Sequence, residues 1–83
     1  MQKVAIAGFS REGQAVLRFL KKSREFKNSE VWILDQDPKL KLPAGVKSQL
    51  GKNYLKNLAQ FDTIFRSPGI PYELDEFRRA RKE

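Results

Sequence analysis

The stretch VAIAGFSREGQAVLRFL, residues 4 to 20, constrains this chain more than any other. Lys3 to Ala7 is rich in small and β-branched apolar residues and reads as a strand, with Gly8 where the chain must turn. From about Glu12 to Arg24, Ala15, Val16, Phe19 and Leu20 recur at helical spacing, while Gln14, Arg18, Lys21 and Lys22 fill the other face. Strand, tight turn and helix in that order bring backbone N–H groups at the helix start to face an anion. A phosphate fits such a turn, and the rest of the chain must say whose.

The pattern repeats downstream. FKNSE is a polar turn, and EVWILD is a nearly continuous apolar run of the kind found in a strand covered on both faces, ending at Asp35. QDPKLKLPAG, with two prolines and a glycine, is a loop, and VKSQL reads as a short third strand. Leu55, Leu58 and Ala59 predict a short helix between Asn53 and Phe61 with Asn53 as its N-cap. A strand from about Asp62 to Arg66 follows and breaks at Ser67-Pro68-Gly69. From about Tyr72 a last helix is expected, with Leu74, Phe77 and Ala80 on one side, acids in its first turns and Arg78, Arg79, Arg81 and Lys82 in its last.

Strands alternating with helical segments argue for a single small α/β domain, a Rossmann-like parallel sheet of about four strands with flanking helices. A terminal helix with no strand after it leads us to expect the N-terminal part of a longer protein. Its 83 residues lie near the lower limit for a self-sufficient core. With no histidine and no cysteine, the commonest neutral-pH base, the commonest metal ligand and all thiolate chemistry are missing, so catalysis by these residues alone is not expected. No apolar run reaches the roughly 20 residues of a membrane span, and the start is too short for a signal peptide, so a cytoplasmic protein with no membrane partner is expected. The net charge of +7 invites a nucleic-acid reading. The cations are scattered, however, and gather at helix C-terminal ends, where the macrodipole favours them; no nucleic-acid partner is expected.

In a doubly wound sheet, ligands bind beyond the carboxyl ends of the strands, where strand order reverses. Three loops qualify. The first, G-F-S-R-E-G, keeps the outer glycines of a dinucleotide fingerprint, but Ser10 takes the middle position, where glycine lets a pyrophosphate come close. A tight turn without a ligand has the same pattern. Arg11 can pair with a phosphate or simply be solvated; Glu12 would repel one, yet suits a helix start. In the second loop, Asp35 lies 22 residues after Gly13, near the roughly 20 expected of the acid that holds a ribose hydroxyl in NAD sites. It can equally cap the next turn, and Gln36 and Asp37 beside it can read a base edge. In the third, Pro68 fixes the backbone and Gly69 permits close approach, so the loop can aim a backbone N–H at a second phosphate oxygen.

The order V-A-I-A-G-F-S-R-E-G, V-W-I-L-D, D-T-I-F-R-S-P-G-I-P resembles the N-terminal domain of the Mur ligases across essentially the whole chain, and S-P-G-I after a strand is its most specific piece. The resemblance is nearest to the members that add D-glutamate to UDP-N-acetylmuramoyl-L-alanine in peptidoglycan synthesis. It implies that the anion is the diphosphate of that UDP-sugar. By position, Ser10, Arg11, Glu12 and Gly13 match the loop near the diphosphate, Asp35, Gln36 and Asp37 the segment on the uracil side, and Ser67, Pro68 and Gly69 the loop that returns to the diphosphate. The family usually has glycine where Ser10 stands. The resemblance further implies that the full-length enzyme uses ATP and Mg²⁺ to form an acyl-phosphate, in central and C-terminal domains that are partners of this one. No G-x-x-x-x-G-K-[ST] occurs here, so no cofactor is expected on this chain. The alternative is a small regulatory module that binds NAD(P) or another nucleotide.

Overall fold

A computed structural model describes residues 2–24 and 26–66. Four strands form one sheet: β1 (Lys3–Ala7), β2 (Glu30–Asp35), β3 (Lys47–Leu50) and β4 (Thr63–Arg66), in the order β3-β2-β1-β4 and all parallel. The Rossmann-like α/β class expected from the sequence is what is found. The helix expected from Tyr72 and the Ser67-Pro68-Gly69 loop lie outside the described residues.

The central strands form where the sequence is most continuously apolar. Val4, Ala5, Ile6, Ala7, Ile33 and Leu34 are all at most 1% exposed, because both faces of β1 and β2 are covered. On one face Val4, Ile6 and Ile33 meet the helix α1 (Arg11–Lys22) together with Leu40, Leu42 and Val46 of the β2–β3 connection. On the other face Ala5, Ala7 and Leu34 meet Leu55, Leu58 and Phe61 of the β3–β4 connection. The crossover that reverses direction across the sheet must change faces to stay right-handed, and it does so here. Edge-to-face ring pairs, Phe26 with Phe65 and Trp32 with Phe61, lock each layer to the sheet.

Two expectations are corrected. The helix begins at Arg11 and ends at Lys22, and its core face is Gly13, Val16, Leu17 and Leu20, not Ala15 and Phe19. Phe19 is 58% exposed, as follows from its place about 200° around the helix from buried Leu17. Between Asn53 and Phe61 there is no α-helix but a run of turns ending in a 3-10 turn, Leu58–Gln60. Asn53 does not cap a helix; its carbonyl closes a turn onto the Lys56 N–H at 3.2 Å. Asn57 takes a left-handed conformation with φ of 54°, which interrupts any helix. The buried residues Leu55, Leu58 and Phe61 recur every three positions, the period of a tighter coil than the α-helix.

One buried polar side chain fastens this irregular connection. The amide of Gln49, on β3, donates to the carbonyls of Tyr54 at 3.1 Å and Lys56 at 3.0 Å, and its oxygen accepts from the Gln60 side chain at 3.3 Å. Gln49→Ala leaves these groups without their partners and is expected to cost about 2 kcal/mol, read as a lower urea midpoint. On the same edge strand, Lys47 bridges to Glu30 at 2.9 Å and lies 5.7 Å from the Trp32 ring centroid. The Lys47 ammonium and then the Trp32 indole N–H, both donating to the Glu30 carboxylate, hold it below the usual carboxylate range. At the other edge, the Lys3 N–H donates to the Asp62 carboxylate and the Asp62 N–H to the Lys3 carbonyl, each at 2.8 Å, clasping the start of β4 to the start of β1. Among the described residues no helix is long and apolar enough to cross a membrane.

Candidate functional site at the strand-order reversal

Strand order reverses between β1 and β4, the place where doubly wound sheets receive ligands. The first loop is shaped by two glycines. Gly8 donates its N–H to the Leu34 carbonyl at 2.7 Å, extending the β1–β2 ladder by one residue, and then turns at a φ of 88° that L side chains rarely adopt. Gly13, buried in α1, rests directly on that turn: a methyl there would overlap the Gly8 carbonyl oxygen and stand 3.3 Å from the Ile6 side chain. The start of α1 is thus seated on the end of β1. The N–H groups of its first turn, which have no acceptor within the helix, point toward the carboxyl edge of the sheet.

Ser10 occupies the N-cap position but does not cap the helix with its side chain. Its hydroxyl donates instead to Glu12 Oε2 at 2.8 Å. That bond, and then the N–H of Glu12 itself, hold the Glu12 carboxyl below its ordinary range, so it is anionic at neutral pH. Ser10, Arg11 and Glu12 are all exposed at the loop surface.

Asp35 is the junction of the site. One carboxylate oxygen accepts the Phe9 N–H of the first loop at 2.8 Å, and the other accepts the Asp37 N–H of its own loop at 2.9 Å. Its carbonyl also accepts the Gly51 N–H at 2.9 Å, where Gly51 turns at a φ of 92° after β3. The turn-capping reading of Asp35 is therefore realised, and the cap reaches across to the glycine loop as well. Asp37 repeats the local device, accepting the Lys39 N–H at 2.9 Å. Gln36 and Asp37 are exposed beside it.

The structure thus brings the first two predicted loops together through Asp35 and Phe9. Ser67, Pro68 and Gly69 follow Arg66, which pairs in register with Ala7 at the end of β1, and themselves lie outside the described residues. A crevice of about 20 Å³ opens at the reversal, lined by Ile6, Gly8, Glu12, Gly13, Val16, Phe65 and Arg66. It is too small to hold a nucleotide. Arg66, which lines the crevice as the last residue of β4, is not among the residues that the sequence singles out. Among the described residues no group of three or more acids could hold a metal ion.

Sheet order, a glycine-hinged turn under a helix start and a carboxylate tying adjacent loops define a Rossmann-like α/β domain with its candidate site at the strand-order reversal. No family model matches the chain. Individual relatives do: it is 28% identical over 90 aligned positions to the UDP-N-acetylmuramoylalanine--D-glutamate ligase of Acetivibrio thermocellus, covering 99% of this chain and 18% of that protein. It is 29% identical over 89 positions to the ligase of the same name from Clostridium botulinum, covering 98% of this chain and 19% of the relative. A 39-residue segment is 49% identical to that ligase from Clostridium beijerinckii, covering 47% of this chain and 8% of the relative. The chain spans about a fifth of the length of the first of these relatives. The Mur-ligase likeness read in the sequence is borne out by named ligases along nearly all of the chain.

Proposed function

We propose that the chain is the N-terminal substrate-binding domain of a cytoplasmic ligase that adds D-glutamate to UDP-N-acetylmuramoyl-L-alanine in peptidoglycan synthesis, and that its site holds the UDP end. The observation that carries this reading is the likeness to D-glutamate ligases along the whole chain, joined to a site in which Asp35 fixes two loops at the strand-order reversal. In this reading the N–H groups of residues 11 to 13 face the diphosphate, residues 35 to 37 face the uracil, and residues 67 to 69 return to the diphosphate. The contribution is orientation: the sugar end is fixed so that the muramoyl-alanine carboxylate is presented at a constant place.

ATP and Mg²⁺ belong, in this proposal, to the central and C-terminal domains of the full-length enzyme. The residues here do not fit them, having no P-loop motif and, among the described residues, no cluster of metal ligands. A dinucleotide-binding regulatory module is the competing reading, and the spacing of Asp35 favours it. Against it, both oxygens of that carboxylate already serve the backbone.

An NMR titration of the labelled chain at fixed salt separates the two. UDP-N-acetylmuramoyl-L-alanine and UDP are both expected to shift the amides of Gly8 to Gly13 and Asp35 to Asp37, with NAD leaving them in place. Shifts with NAD alone would overturn the proposal in favour of the dinucleotide module.

A further inference from the structure

The strand β3 ends the sheet on the side away from the strand-order reversal, and among the described residues no strand pairs with its outer side. The Gly51 N–H donates to the Asp35 carbonyl of β2, so by the alternation of a strand the backbone groups of Ser48 and Leu50 point the opposite way, off the sheet. The result is a short unfilled ladder, the kind of edge that accepts a further strand.

A groove of about 480 Å³ lies along this edge, lined by Trp32, Ser48, Leu50, Lys52, Asn53 and Lys56. Its aromatic wall is firm: Trp32 is half-buried, meets Phe61 edge-to-face and donates its indole N–H to Glu30 at 2.9 Å. The Gln49 amide, which bonds the Tyr54 and Lys56 carbonyls, holds the turns that carry the lysines. No acid lines the groove. Lys47 is already engaged by Glu30 at 2.9 Å, whereas Lys52 and Lys56 are exposed and make no ion pair among the described residues.

Three occupants compete for such an edge. A second copy of this chain would set lysines against lysines, and charged edges of this sort oppose self-pairing. A single-stranded nucleic acid suits an indole beside cations but leaves the backbone ladder unused. An extended acidic segment uses all three features: the ladder for its backbone, the indole for an apolar side chain and the ammonium groups for its carboxylates. The net charge of +7 steers acidic partners toward the chain as a whole.

We propose that the β3 edge is a docking site for an extended acidic segment of a partner protein, which adds a strand beside Lys47–Leu50 with an apolar side chain against Trp32 and carboxylates at Lys52 and Lys56. The proposal is independent of the UDP reading, since β2 separates β3 from the two strands that flank the crevice.

Trp32 is the one tryptophan of the chain, so its emission reports on the groove directly. The probe is a short capped peptide alternating glutamate and valine. Its comparators carry lysine in place of glutamate, or N-methyl groups at alternate residues that prevent ladder formation, and an oligouridylate stands for nucleic acid. At low salt the acidic peptide is expected to shift the Trp32 emission and to slow hydrogen exchange at Ser48 and Leu50, while the comparators do neither. Lys52→Glu combined with Lys56→Glu, both at exposed positions, should weaken the acidic peptide by about tenfold and admit the lysine peptide. Absence of the emission shift or of the protection overturns the proposal, as does binding that survives charge reversal or N-methylation unchanged. Protection of Ser48 and Leu50 in the free chain, constant or growing with protein concentration, means that the edge is already filled by this chain or by a second copy, and overturns it too. Preference for the oligouridylate over the acidic peptide overturns it in favour of a nucleic-acid surface.

Discussion

Gly13→Ala is expected to remove on the order of 3 kcal/mol of stability, a large part of what so small a domain has. The added methyl would meet the Gly8 carbonyl oxygen, which is backbone, so no rotamer change can relieve the overlap. Either α1 lifts from the end of β1 or the Gly8 turn opens, and either movement exposes Val16, Leu17 and Leu20 on the helix. Urea unfolding gives the magnitude, and the amide shifts of Gly8 and Phe9 in whatever folded fraction remains show where the strain went. A midpoint equal to that of the wild type would mean that the helix is not seated on that carbonyl.

Asp35→Ala is the second large effect. It removes two charge-assisted hydrogen bonds from a half-buried carboxylate, and the expected loss is about 3 kcal/mol. The useful readout is where the loss appears. Because the carboxylate joins two loops, hydrogen exchange should quicken at the Phe9 and Asp37 amides together, although they are 28 residues apart. Asp35→Asn keeps one accepting oxygen and turns a donor toward the other amide, so it should protect one of the two amides and lose about half as much. Faster exchange at Asp37 alone would show that the acid serves only its own turn and that the glycine loop stands without it.

The parallel sheet was legible because its central strands are buried on both faces and so carry nearly unbroken apolar runs; Lys3–Ala7 and Glu30–Asp35 have the bounds read from the sequence. The face of α1 was harder. Phe19 is the largest apolar residue of that helix, and hydropathy places it inward, but orientation is decided by Gly13, the one position where α1 can touch the Gly8 turn. The connection from β3 to β4 was misread for a similar reason, since its leucines suit a helix and only the left-handed Asn57 and the hydrogen bonds of Gln49 make it a chain of turns. At the site, Asp35 was found by spacing, but whether its oxygens would face a ribose or the backbone depends on where Phe9 lies after folding, which no spacing encodes. The place of Arg66 beside Ala7 was likewise not legible, because it follows from the register of β4 against β1 and not from the residues next to it in the chain.

The clasp between Lys3 and Asp62 joins residues 59 apart in the chain, at the start of the same β1–β4 pairing that lays Arg66 beside Ala7. Seen as a sequence of events in time, β1, α1 and β2 can form from neighbouring segments, whereas the seam between β1 and β4 must wait for nearly the entire described chain to be in place. The crevice at the strand-order reversal therefore sits on the pairing of longest sequence separation among the described strands. Any ligand that bound across that seam would, by mass action, hold it shut against the entropy of the long loop it closes.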